Sequence, residues 1–124
     1  MSGWTSDELE QIGDVDELQL ASARSDSTLR KPVTIWVVRL GDDVYVRSVY
    51  GRTSHWFRGI EDRHEGHIRA GGVDKDVLFV EAGDDINDEV DAAYRTKYQR
   101  YDASVVDPLF TPEARAATLE LVPR

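Results

Sequence analysis

A chain of 124 residues with 40% hydrophobic content has room for one domain with a single core. It contains no cysteine, which excludes disulfides, thiolate metal ligands and a cysteine nucleophile, and the expected compartment is a reducing cytoplasm. Its net charge of -9 argues against nucleic acid or an anionic membrane as partner, and no apolar run approaches the ~20 residues that span a bilayer.

The N-terminal MSGWTSDELEQ lacks the basic-then-apolar order of a signal peptide. A short helix comes first: Thr5 and Glu8 have capping-box spacing, Leu9 and Ile12 give an apolar edge, and Gly13 ends it. Alternation of Leu18 and Leu20 with Glu17 and Gln19 predicts a first strand, and Ser25-Asp26-Ser27 a loop. The run 32–40, PVTIWVVRL, is β-branched and apolar on both faces, so cover is expected on both. Gly41-Asp42-Asp43 turns the chain, and residues 44–50 return as VYVRSVY to make a hairpin. Alternation sends Val44, Val46, Ser48 and Tyr50 to one face and Tyr45, Arg47 and Val49 to the other.

The connection GRTSHWFRG (51–59) sets Trp56 and Phe57 side by side between Arg52 and Arg58, with a helical turn expected over 54–60. Either the aromatic pair plugs one end of the core, or it lines a place where a flat anionic ligand lies. Strands are expected over 67–70 and 77–81, with Gly71-Gly72 as a flexible turn. A helix over 86–101, capped by Asp85, has acids first, bases last, and a stripe of Val90, Tyr94, Tyr98 and Tyr101. Thr111-Pro112-Glu113 starts a helical turn, and residues 117–122 alternate as a final strand. Five or six strands joined by short turns predict a mainly β fold with added helices (α+β), a small antiparallel barrel forming one domain over 1–124.

Several catalytic patterns are missing. His64-Glu65-Gly66-His67 is one residue short of H-E-x-x-H and holds a glycine, so it reads as a solvated loop and no metal is expected. Tyr94-Arg95-Thr96-Lys97 is one residue short of Tyr-x-x-x-Lys, and no G-x-G-x-x-G follows an early strand. Neither a G-x-S-x-G elbow nor a Walker loop occurs.

What remains is a basic and aromatic middle. Bases outnumber acids from Arg30 to Arg69, whereas acids dominate elsewhere. Arginine forks and serine hydroxyls suit a phosphate or carboxylate, and aromatic walls suit a flat heteroaromatic ring. Arg30, Lys31, Arg47, Ser48, Tyr50, Arg52, His55, Trp56, Phe57 and Arg58 supply all three classes within about thirty residues. Alternation keeps Arg47 and Ser48 on opposite faces unless a bulge or the strand end intervenes.

The series PVTIWVVRLGDDVYVRSVYGRTSHWF, GHIRAGG, DAAYRTKYQRY and ARAATLELVPR resembles the bacterial family catalogued as domain of unknown function 2255. The resemblance implies the split β-barrel of flavin-binding proteins. More distantly, Arg30-Lys31-Pro32, Ser48, Gly51 and Trp56-Phe57 resemble the deazaflavin-dependent nitroreductases, although Phe57 stands where tyrosine is usual. That likeness implies that Arg30, Lys31 and Ser48 hold cofactor phosphate, with the Trp56-Phe57 turn near the cofactor. Together with their basic and aromatic neighbours, the phosphate candidates are Arg30, Lys31, Arg47, Ser48 and Arg52, Ser48 ahead of Arg47, and the ring-pocket candidates are Trp36, Tyr50, Trp56 and Phe57. Tyr94 and Lys97 are candidate substrate contacts, and no catalytic residue is assigned. The expectation is a cytoplasmic homodimer that binds FMN or a deazaflavin and reduces an organic substrate. The alternative is a non-enzymatic binding or interaction barrel that has lost its cofactor.

Overall fold

The computed structural model describes residues 3–124. In chain order the elements are α1 (Ser6–Asp14), β1 (Glu17–Ser22), β2 (Val33–Leu40), β3 (Asp43–Arg47), α2 (His55–Arg63), β4 (Glu65–Ala70) and β5 (Val73–Glu81). Then follow α3 (Asn87–Lys97), α4 (Ala103–Val106), α5 (Pro112–Arg115) and β6 (Thr118–Pro123). The strands close into a barrel in the order β1-β2-β3-β6-β5-β4, with every pair antiparallel. The expected mainly β barrel with added helices is therefore present.

Alternation fills the barrel. Leu18, Leu20, Val37, Val44, Val46, Ile68, Phe79, Leu119 and Leu121 form its interior, joined by Leu9 and Ile12 of α1 and by Phe57 and Ile60 of α2. The capping box of Thr5 and Glu8 starts α1 with both of its bonds made. Just before it, the Trp4 indole donates to the Leu121 carbonyl at 2.9 Å. Gly66 is needed where β4 meets β1, because a Cβ there would strike the Ala21 carbonyl and the Phe79 ring.

A second cluster lies outside the barrel. Val38 and Tyr45 pack under Val90, Tyr94 and Tyr98, with Val106 and Leu109 beside them. So β2 is covered on both faces along its second half, as its two-sided apolarity predicts. Along β2 the pairing changes hands: residues 33–36 pair with β1, and residues 37–40 pair with β3. The Tyr98 hydroxyl marks that junction. It accepts from the Val37 N–H at 3.1 Å and lies 2.9 Å from the Val37 carbonyl and 2.6 Å from the Asp16 carbonyl.

Several boundaries differ from the sequence expectation. β3 stops at Arg47, and the chain leaves at Ser48 towards the turn Gly51–Thr53, where Gly51 has φ +75. α1 runs through Gly13, and α2 extends to Arg63. His64 ends α2 in the left-handed region and Glu65 already belongs to β4, so His64-Glu65-Gly66-His67 is mostly strand and not a loop. α3 ends at Lys97 rather than 101, and Asp85 sits in the turn Asp84–Ile86 without capping α3 through its side chain. β5 starts four residues before the expected 77. No described helix is long and apolar enough to cross a membrane.

Candidate functional site

α3 leaves the outer face of the first half of β2 open. A groove of about 440 Å³ runs there, formed by Val33, Thr34, Ile35 and Trp36 of β2 and Arg47 of β3. Val49 and Tyr50 enter from the segment after β3, Trp56 from α2, and Val105 and Leu109 from the segment between α3 and β6. The lining is mostly apolar and aromatic, with Thr34 as a hydroxyl that accepts from Gln19 at 2.7 Å. Its volume falls in the usual range for sites that hold small molecules and cofactors.

Trp36 is held rigidly. Its ring stacks on Tyr98 with centroids 3.9 Å apart and planes 2° apart, and Tyr101 sits 4.9 Å away at a tilt. Burial pushes the Tyr98 hydroxyl far above its ordinary pKa, so it stays neutral and keeps its bonds to β2 and Asp16. Trp56 and Phe57 meet edge to face at 5.9 Å and part company. Phe57 is 1% exposed inside the barrel cluster, whereas Trp56 packs on the outside of that cluster and lines the groove. Of the aromatic doublet, Phe57 plugs the barrel and Trp56 forms part of the groove wall.

The cations divide differently. Arg47 has no exposed side-chain surface, and all five of its N–H groups are used. Nε donates to Thr118 at 2.9 Å, Nη1 to Asp91 and the Leu109 carbonyl, and Nη2 to the Asn87 carbonyl and side chain at 3.1 Å each. It borders the groove with no donor left for a ligand. Arg30 clamps β1 to α2 through the Ala23 and Gly59 carbonyls and Asp62. Arg52 pairs with Glu81 and Glu61, which raises its already high pKa, and its guanidinium stands 5.1 Å over Phe57. The Ser48 hydroxyl is 2.7 Å from that of Ser54. The side chains of Lys31, His55 and Arg58 make no hydrogen bond or ion pair among the described residues; Lys31 precedes the groove residue Val33 by two positions, and Arg58 follows Trp56 by two.

Tyr94 is buried on the inner face of α3, where its hydroxyl donates to the Trp36 carbonyl at 3.2 Å. Burial raises its pKa far beyond the ordinary phenol value. Lys97 donates to the Val37 carbonyl at 2.7 Å. The structure therefore brings Trp36, Arg47, Tyr50 and Trp56 into one groove. Arg30, Lys31, Ser48, Arg52, Phe57, Tyr94 and Lys97 lie outside its lining. Sequence reasoning missed Val33, Thr34, Ile35, Val49, Val105 and Leu109. The only signal for the last two is that apolar pairs, Val105-Val106 and Leu109-Phe110, interrupt a polar stretch. No group of three or more His, Asp or Glu among the described residues is placed to hold a metal ion.

A family model described as "Uncharacterized protein conserved in bacteria (DUF2255)" matches residues 8–121. The chain belongs to this family. No curated protein sequence matches it. Among solved structures it is similar to the heme storage protein HutZ from Vibrio cholerae, with 14% identity and TM-score 0.63 over 93% of this chain and 86% of that one. A FAD-binding protein from Mesorhizobium loti gives 13% identity and TM-score 0.61 over 98% of this chain and 91% of that one. An F420 reductase gives 17% identity and TM-score 0.52 over 93% and 90%. The fold of this DUF2255 member is thus the split barrel of flavin-binding proteins.

Proposed function

We propose that the protein binds a flavin or deazaflavin with its ring in the groove between Trp36 and Trp56, and acts as a nitroreductase-like oxidoreductase. The observation that carries this reading is the open aromatic groove on a split barrel whose structural neighbours include a FAD-binding protein and an F420 reductase. The groove suits a flat ring: its walls are apolar and Trp36 is fixed by Tyr98. The bound cofactor would supply hydride transfer, and the chain would orient the ring and exclude water. With Arg47 spent, the cations Lys31 and Arg58 are left to hold the anionic tail outside the groove, with His55 beside them as a hydrogen-bonding group.

The outer rim of the groove is apolar and open. Tyr50 is 80% exposed, Val105 50% and Val49 38%. A second copy of the chain covering this rim would complete the site, in a homodimer located in the cytoplasm. The second reading is a barrel that keeps the fold without the cofactor. The observation favouring it is that Arg30, Arg47 and Arg52 are all committed to protein partners.

The test is titration of the purified protein with FMN, FAD, F420 and heme, followed by ligand absorbance and tryptophan fluorescence. Saturable binding of a flavin or deazaflavin at micromolar concentration is expected, weakened about tenfold, some 1.4 kcal/mol, by Trp56→Ala. Absence of flavin and deazaflavin binding, or binding of heme alone, would overturn the proposal.

A further inference from the structure

A second groove, of about 630 Å³, lies between α1, the second half of β2 and α3. Val38, Leu40, Ala92 and Ala93 give it an apolar base, and Lys97 lines it from the end of α3. A lysine ammonium is ordinarily solvated or ion-paired. Lys97 is half-buried, its Nζ donates to the Val37 carbonyl, and it lies 5.4 Å from the Tyr98 ring. No carboxylate stands within ion-pair distance of Nζ among the described residues. The charged groups around it are Glu10 and Asp14 from α1, Asp16 beyond it, Arg39 from β2, Glu89 from α3 and Arg100 after α3.

We infer that Lys97 is a covalent site that captures small uncharged aldehydes or ketones as an imine. The inference does not depend on ring binding in the first groove. A half-desolvated amine held by one neutral acceptor is the form of lysine used for such chemistry. Burial lowers its pKa to about 8, with Asp16 and Asp14 opposing that shift and Arg100 adding to it. Part of the population is therefore the free amine near neutral pH. The Nζ lone pair attacks the carbonyl carbon to form the C–N bond. The carbonyl oxygen then leaves as water, carrying the two amine hydrogens, and a C=N bond remains; no oxidant or reductant is consumed. The apolar base accepts a short alkyl chain, and Glu10, Asp14 and Glu89 at the rim repel anionic carbonyls.

The chain has three lysines, so it carries its own controls. Lys31 is exposed and unpaired among the described residues, and Lys75 is ion-paired with Glu8 at 2.7 Å. The experiment is reductive labelling of the full chain with propionaldehyde and cyanoborohydride at stepped pH, read by peptide mass mapping. Near pH 7 Lys97 should react on the order of tenfold faster than Lys31, with a rate that levels off above about pH 8. Glyoxylate should lose much of that preference. Labelling of Lys97 no faster than Lys31, or a Lys97 rate that keeps rising well above pH 8, would overturn the inference, and an undiminished preference with glyoxylate would overturn its restriction to uncharged carbonyls.

Discussion

A guanidinium without exposed surface must find its partners inside the protein, and Arg47 finds them on three separate segments: α3, the turn Asp107–Phe110 and β6. It fastens the α3–α5 excursion to the barrel. Asp91 shares this charge with Arg115, whose Nε is 3.3 Å from the second carboxylate oxygen. Replacing Arg47 by Met would leave Asp91 short of its main partner. The predicted loss is about 3–5 kcal/mol of stability, read by urea denaturation. A loss below about 1 kcal/mol would show that the network is dispensable. Strand alternation in the sequence places Arg47 opposite Ser48, and β3 does keep Arg47 under α3. The partners that consume it were not legible, because Asn87, Asp91 and Leu109 are 40 to 62 residues away and no local pattern pairs them. Trp56 and Phe57 teach a related lesson: adjacency in sequence hides that a helix of 3.6 residues per turn sends neighbours about 100° apart. That angle puts one ring inside the barrel and the other in the groove.

The elements follow local pattern where side chains dominate and depart from it where backbone partners decide. The β2–β3 hairpin was legible because β-branched runs flank a Gly-Asp turn. The early end of α3 was not, because Tyr98 and Tyr101 keep helical spacing while the Tyr98 hydroxyl ties the chain to Val37 and Asp16. α4 is a single turn with too few residues to show a period. The β4–β5 hairpin carries a pH dependence. His67 on β4 faces Asp76 and Asp74 on β5, one on each ring nitrogen. Burial pushes its pKa down, but the hydrogen bonds to Asp76 and Asp74 outweigh burial and raise it above 6.5. The stabilisation is therefore complete below the unfolded value of about 6.5 and is lost as pH rises through the folded value. His67→Gln should lower stability clearly near pH 5.5 and little near pH 9, compared by denaturation at both. An equal gap at the two pH values would contradict the ion-paired imidazolium.

For the whole molecule, composition and strand pattern were enough to reach an antiparallel barrel, because closing six short strands is how a small β domain removes its edges. The location of the groove needed three dimensions, since it joins β2 to residues as distant as Val105 and Leu109. In an acidic chain with net charge -9, two cations whose side chains make no hydrogen bond or ion pair among the described residues, Lys31 and Arg58, lie within two sequence positions of groove residues, which is where an anionic tail would be drawn. The central claim is that the groove between Trp36 and Trp56 receives a flavin-type ring. The chain has three tryptophans, and the third, Trp4, is bonded to Leu121 and takes no part in that groove. Indole N–H resonances of the labelled protein, followed during addition of FMN and of F420, test the claim directly. The account predicts that one of these ligands shifts the Trp36 and Trp56 signals together and leaves Trp4 in place. Unmoved Trp36 and Trp56 signals at saturating ligand, or a shift confined to Trp4, would contradict it.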